Sequence, residues 1–264
     1  MPTKLRSLLT IAASDPTGGA GIQADIRTGS LMGLHVMSAI TAITVQNSLG
    51  FYSMNPVSPD ILGSQLKAIY EDVLPDAIKI GMVGSIGNIK VIKEFISSIP
   101  NNIPIVIDPI LKATMEIEKD KSELILKYKN DLFPYATLLT PNLDELKLLS
   151  PKTDLSNIKL ILKDLNVKGM VVKSISETAT EIEDVLIFKD KILINKHLKH
   201  KSKNLHGTGC VYSTLLASKL ALSNSVEQAF FKSNLIMSEI ILKSCSYSLG
   251  NSTYGPLNIN DYRL

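Results

Sequence analysis

Short apolar runs rich in β-branched residues alternate along the chain with longer segments whose apolar positions recur every three or four residues. Leu8 to Ala13 reads as the first strand, and Ala20 to Met32 as a helix carrying Ile22, Ile26 and Leu31 on its apolar side. Met37 to Thr44 is the second strand. Ser58 and Pro59 supply an N-cap and a first-turn proline for a helix reaching about Val73. Further strands are expected at Ala77 to Ile80, Ile103 to Asp108, Ala136 to Thr140 and Gly169 to Lys173, with helices at Ile86 to Ser97, Lys121 to Leu132 and Asn157 to Asn166. Glu181 to Phe188 and Lys191 to Lys196, around Lys189-Asp190, predict a late hairpin. Helices over Gly207 to Leu220 and from Ser225 to about Tyr247 close the series. This alternation predicts an α/β fold, a mostly parallel sheet with helices on both faces. No repeat, linker or low-complexity tract interrupts it, so residues 1–264 read as a single domain.

Hydrophobic residues make up 45% of the chain and charged ones 20%, which excludes a disordered chain. No apolar run approaches the roughly 18 residues of a membrane span, and Met1 to Arg6 is not followed by a signal-peptide pattern, so a cytoplasmic protein without membrane contact is expected. The net charge of +3 is small and its lysines are interleaved with acids, which argues against nucleic acid as a partner. Cys210 and Cys245 are the only cysteines, without the spacing of a disulfide framework or a zinc site. One basic stretch stands out: Lys196, Lys199, Lys201 and Lys203 with His197, His200 and His206. It reads either as a solvated loop or as a lid that draws in polyphosphate. No carboxylate or thiol is near His197 and His200 in sequence, so a metal site is not expected there.

Ligands of open parallel sheets bind beyond the C-terminal ends of the strands. Four loops in such places carry polar or glycine-rich clusters: Ser14 to Gly21, Gly81 to Gly84, Asp108-Pro109 and Thr140 to Glu145. A fifth segment, Asn204 to Cys210, runs straight into the small and apolar Val211 to Ala217. Its glycines let backbone N–H groups turn toward an oxyanion at a helix start. Cys210 falls in the first helical turn, where a thiol pKa is expected to drop. The same stretch also reads as a plain glycine-rich turn capping a core helix around a buried cysteine. Neither G-x-G-x-x-G nor G-x-x-x-x-G-K-[ST] occurs, so the dinucleotide fingerprint and the P-loop are excluded.

Asn142-x-x-Glu145 and Gly207-Thr208-Gly209-Cys210 resemble the magnesium and anion-hole motifs of the ribokinase-like sugar and vitamin kinases. Longer matches run in order through Thr10 to Asp25, Ala39 to Asn47, Lys79 to Met82, Asp108-Pro109, Thr140 to Glu145 and His206 to Cys210. On these the chain closely resembles, nearly end to end, the hydroxymethylpyrimidine/phosphomethylpyrimidine kinases of thiamine biosynthesis. The resemblance implies a ribokinase-like three-layer αβα sandwich and a homodimer. It also implies ATP-dependent phosphorylation of 4-amino-5-hydroxymethyl-2-methylpyrimidine, then of its monophosphate. The implied pyrimidine pocket is Asp25, Thr44, Gln46, Met82 and Ile110. Gln46 offers a donor and an acceptor to an aminopyrimidine edge, and Met82 and Ile110 suit the faces of a flat ring. Met82 equally reads as core, and Asp25 as a solvent-facing helix residue. Backbone N–H groups of Gly207, Thr208, Gly209 and Cys210 would hold the transferring phosphoryl group, with Cys210 as general base. Lys173 would neutralise phosphate charge, although it also reads as a strand-end lysine in water. Glu145, Asn142 and Asp108 would hold Mg2+.

Two departures stand against this pattern. The relatives carry two glycines after the position of Lys173, whereas Ser174-Ile175 stand here, and a β-branched residue disfavours the positive φ a glycine allows. The path of that loop is therefore expected to differ. Ile110 to Met115 likewise lacks a glycine-bearing lid sequence. Pyridoxal kinase is the rival enzyme; one group of these shares Gly-Thr-Gly-Cys but adds a lid cysteine, and residues 109–119 hold none. A pyrimidine-binding relative without catalysis is the rival of another class, supported by the Lys173 loop alone.

Overall fold

The computed structural model describes residues 5–111, 114–115, 121–150, 158–249 and 255–262. Among these residues nine strands form one sheet in the order β3-β2-β1-β4-β5-β6-β7-β8-β9. They are β1 (Ser7–Ser14), β2 (His35–Asn47), β3 (Gly50–Pro56), β4 (Ala77–Ile80), β5 (Ile105–Ile107), β6 (Leu138–Leu139), β7 (Gly169–Glu177), β8 (Glu181–Phe188) and β9 (Lys191–Leu198). Neighbours from β2 to β7 pair in parallel, while β3, β8 and β9 pair antiparallel at the two edges. The central strands are buried on both faces, so β1 and β4 are mostly apolar, with Thr10 and Lys79 as the polar residues in their interiors.

Two layers of helix cover the sheet. Leu62 and Leu66 of α2 (Pro59–Asp72), Ile89, Ile92 and Phe95 of α3 (Ile86–Ser98), Leu124 of α4 (Lys121–Lys127), Leu146 of α5 (Leu143–Leu149) and Ile161 of α6 (Ile158–Leu165) share one core with Leu9, Ile11, Ile78 and Ile80. The other face packs Leu8, Ala77 and Val106 against α1 (Gly21–Leu31), α7 (Thr208–Ala221) and α8 (Val226–Lys243). This is the three-layer α/β sandwich that the resemblance implies. Helix α7 is buried nearly all round, which its small, apolar sequence allows. The four polar loops singled out above follow β1, β4, β5 and β6, and therefore gather beyond the C-terminal edge of the parallel sheet.

Several elements differ from the sequence expectation. β3 was not foreseen, because most of its residues are exposed and Gly50-Phe51-Tyr52-Ser53 shows no clean alternation. Its pairing with the long β2 makes it a strand. The helix at Lys121 widens into a π turn over Tyr128–Leu132, just before Pro134. β7 continues past Lys173 through a bulge between Val172 and Ser176. Helix α8 ends at Lys243 and tightens into a 3-10 turn at Ser244–Ser246. Residues 112–113 of the expected lid segment, and 116–120 after it, lie outside the described residues.

Candidate active site

Gly207 begins α7 with φ +84, and a Cβ there would stand 1.8 Å from the Gly19 carbonyl oxygen. Only glycine fits both the left-handed backbone and the close approach of the loop after β1. That loop is clamped to the turn, since His206 Nε2 is 3.2 Å from Asp15 Oδ2 and Asp15 accepts hydrogen bonds from Thr17 N and Ala20 N. Burial works against the Asp15 carboxylate, but these bonds outweigh it and hold its pKa below the usual range. From below, Gly255 O accepts the His206 amide, and Asn204 Nδ2 donates to Ser244 O and Tyr247 O. No side chain caps the start of α7. The first-turn amides of a helix lack intrahelical acceptors; Thr208 N turns back to Leu205 O at 3.3 Å, and the turn otherwise presents N–H groups and the positive end of the helix dipole.

A cleft of about 330 Å³ lies on one side of this turn, lined there by Thr208, Gly209, Lys173 and Asn142. Lys173 Nζ is 3.0 Å from Asp108 Oδ1, which also accepts from Thr140 Oγ1 at 3.2 Å. A Cβ on Gly209 would lie 3.4 Å from Lys173 Nζ and 3.3 Å from Asp108 Oδ2, so the turn passes close to this pair. Burial disfavours the Lys173 ammonium, yet Asp108 and then Glu145 overcome it and raise the pKa. The lysine is thus a mostly buried member of a charged cluster and not a strand-end lysine in water. Asn142 and Glu145 form a reciprocal capping box at α5: Glu145 N donates to Asn142 Oδ1, and Asn142 N to Glu145 Oε2.

Farther along the cleft, Ser174 takes φ +50 at the β7 bulge, and its N–H donates to Asp184 Oδ1 at 2.7 Å. A left-handed residue thus stands in this loop without a glycine, at Ser174 and not at Ile175. Asp184 Oδ2 is 3.1 Å from His197 Nε2, across the β8–β9 pair. This corrects the expectation of no carboxylate beside His197: Ile182 is the direct partner of His197, and Asp184 is its diagonal neighbour on the same face. That hydrogen bond raises the His197 pKa against burial. The basic stretch is also less free than it looked, since Lys196 pairs with Glu183 and Lys199 with Glu177.

On the other side of the turn is a tighter cavity of about 180 Å³, lined by Thr44, Gln46, Met82, Ile110 and Cys210 among others. Thr44 Oγ1 donates to Ser14 O and accepts from Gln46 Nε2, which orients the carboxamide. Asp25 is the exception among the sequence candidates. It is wholly buried behind the wall, bonded to Thr10, Thr214 and Lys79, and is neither solvent-facing nor on the cavity surface. Cys210 is 6% exposed. Its thiol is pushed up to about 11 by burial, with Asp25 and Asp108 adding to the rise and Lys79 and the Gly21 amide opposing it. The lowered value expected from its place in the helix is thus reversed.

The family model of phosphomethylpyrimidine kinase matches residues 15–258. A curated relative, the hydroxymethylpyrimidine/phosphomethylpyrimidine kinase of Bacillus subtilis (strain 168), is 31% identical over 95% of this chain and 93% of its own. The chain belongs to the phosphomethylpyrimidine kinase family. Among solved structures, the ADP complex of Bacillus subtilis pyridoxal kinase superposes with a TM-score of 0.84 at 28% identity, covering 96% of this chain and 97% of that one. Phosphomethylpyrimidine kinase from Clostridium difficile 630 gives 0.74 at 31% identity, over 89% and 98%.

As a phosphomethylpyrimidine kinase family member, the chain is an ATP-dependent kinase. The oxygen donors fit the family's Mg2+, because Asp108 and Glu145 set two carboxylates against the single Lys173 ammonium. Among the described residues no three His, Cys, Asp or Glu side chains form a metal cluster. Among the described residues no helix is long and apolar enough to cross a membrane. Lys79 and Phe51 also line the tighter cavity and Asp184 the cleft, and no sequence motif assigns them a role. Lys79 carried a signal, an ionisable residue inside the apolar Ala77-Ile78-Lys79-Ile80 run.

Proposed function

We propose that this chain transfers the γ-phosphoryl group of ATP to 4-amino-5-hydroxymethyl-2-methylpyrimidine and then to its monophosphate. The observation that carries this reading is the turn standing between two cavities: Thr208 and Gly209 line the 330 Å³ cleft and Cys210 the 180 Å³ one. Nucleotide occupies the larger and pyrimidine the smaller, so donor and acceptor meet at the turn. Gln46 recognises the aminopyrimidine edge, Thr44 orients Gln46, and Met82 and Ile110 cover the ring. Asp25 contributes from behind the wall.

The hydroxymethyl oxygen attacks the γ-phosphorus. An oxygen–phosphorus bond forms, the bond to the bridging oxygen breaks with its electron pair leaving on ADP, and the alcohol proton passes to Cys210 Sγ. Charge in such a transfer spreads over the phosphoryl oxygens, so amides of Gly207 to Cys210 and the Lys173 ammonium do more than proton removal. Asp108 and Glu145, with Asn142, would hold Mg2+, which neutralises polyphosphate charge when bound.

Phosphorus NMR of the purified protein with the pyrimidine alcohol and excess MgATP tests this. Monophosphate followed by diphosphate, with matching ADP, is expected. Preferential turnover of pyridoxal would replace the reading with the rival kinase. Binding of pyrimidine without MgATP binding, by titration calorimetry, would make the chain a carrier or sensor. We further propose a cytoplasmic homodimer of single-domain chains, to be read as twice the chain mass in sedimentation and one cooperative unfolding transition.

A further inference from the structure

Alternation in β4 points Ile78 and Ile80 into one core and Lys79 to the opposite face, toward α1 and α7. Lys79 has no exposed surface, which is rare for a lysine. Its ammonium lies 2.8 Å from Asp25 Oδ2 of α1. Asp25 is itself fixed by Thr10 Oγ1 at 2.5 Å and by Thr214 Oγ1 at 2.8 Å. Thr214 stands one turn after Cys210 in α7, and Lys79 and Cys210 both line the tighter cavity. A Cβ at Gly81 would come 2.8 Å from Lys79 Nζ and 3.1 Å from Ala12 Cβ, so the glycine leaves the space the ammonium occupies. Apolar residues of similar volume would stabilise such a core at least as well as a buried ion pair. Stability therefore does not account for a cation at this wall.

We propose that Lys79 is a positioning residue for the phosphoryl transfer: Asp25, Thr10 and Thr214 hold its ammonium at the floor of the pyrimidine cavity as the charge partner of the Cys210 sulfur. This rests on the Cys210 role given above. The thiol releases its proton to solvent, leaving a thiolate balanced by the ammonium. The thiolate then takes the alcohol proton as the new oxygen–phosphorus bond forms. The groups acting on the sulfur are Asp25 from α1, Lys79 from β4, Asp108 after β5 and Lys173 from β7, with Asp15 and His206 on the same cavity wall. Burial and the acids favour the thiol, and Lys79 stands first among the groups that oppose them.

The test is the pH dependence of Cys210 alkylation by iodoacetamide, followed by intact mass on the full chain in a Cys245→Ser background. Lys79→Met should move the midpoint up by about one unit, or tenfold in rate on its acidic side. Asp25→Asn keeps the ammonium but removes its counter-charge, and should move the midpoint down. Loosened packing would instead expose the thiol and shift both variants the same way. Should Lys79→Met not fold, the charge-neutral Asp25→Asn/Lys79→Met pair replaces it, with a smaller upward shift expected. Unmoved midpoints, or shifts of one sign in both variants, overturn the proposal while leaving the kinase reading intact. Shifted midpoints with an unshifted pH profile of kcat/KM would overturn the Cys210 role, and the proposal with it.

Discussion

At Gly207 one missing methyl group decides whether the anion turn can close, since any Cβ would overlap the Gly19 carbonyl. Gly207→Ala should lower kcat by at least about 10²-fold, the cost of displacing one well-placed amide donor, in a coupled ADP assay run beside a thermal melt. As the proposed general base, Cys210 would contribute about 10²–10⁴-fold. Its thiol is pushed up to about 11, so the active thiolate gains population as pH rises. Wild-type kcat/KM should climb from neutral pH into the alkaline range, and Cys210→Asp, ionised throughout, should flatten that climb. A flat wild-type profile would contradict this role. The sequence showed Cys210 in a first helical turn, and that local dipole argues for a lower pKa. Burial under two other elements, with Asp25 and Asp108 behind it, sets the opposite sign.

At the scale of elements, the β7 bulge is where local sequence and neighbouring strands meet. Ser174 adopts a left-handed conformation that costs a non-glycine residue about 1–2 kcal/mol, and Asp184 on β8 holds it there. Ser174→Gly should relieve that strain, offset in part by the freer unfolded chain, for a gain of at most about 1 kcal/mol in urea unfolding. Asp184→Ala should instead cost about 1–3 kcal/mol by leaving the Ser174 amide unpaired. His197 adds a pH dependence. Its folded pKa is raised above 6.5 by Asp184, so its contribution to stability is full below that value and is lost as pH rises through the folded pKa. The Tm difference between wild type and His197→Gln should therefore shrink as pH rises from below 6.5 through the raised folded pKa. The Asn142-x-x-Glu145 pattern was legible as a motif, but its capping box was not read from it, although both belong to the same four residues.

Across the whole molecule, Asp25 and Lys79 join α1 to β4 under α7, and neither partner reaches solvent. Lys79→Met, which strands a buried carboxylate, should lose about 3–5 kcal/mol in chemical denaturation, while the Asp25→Asn/Lys79→Met pair should recover most of that loss. Equal losses in the single and paired variants would show that packing and not charge is at stake.

Periodicity determined the parallel sheet, its two helical layers and the order of nearly every element, because those depend on which face of each segment is apolar. The glycine-rich turn and the loops after β1, β4, β5 and β6 were likewise written in local residue types. Only the tertiary structure decided that Asp25 lies behind the cavity wall, that Asp184 meets His197, that β3 is a strand, and that the Cys210 thiol is raised. Each depends on partners far away in sequence, through burial, strand register and charges converging from separate elements. No local pattern encodes these relations.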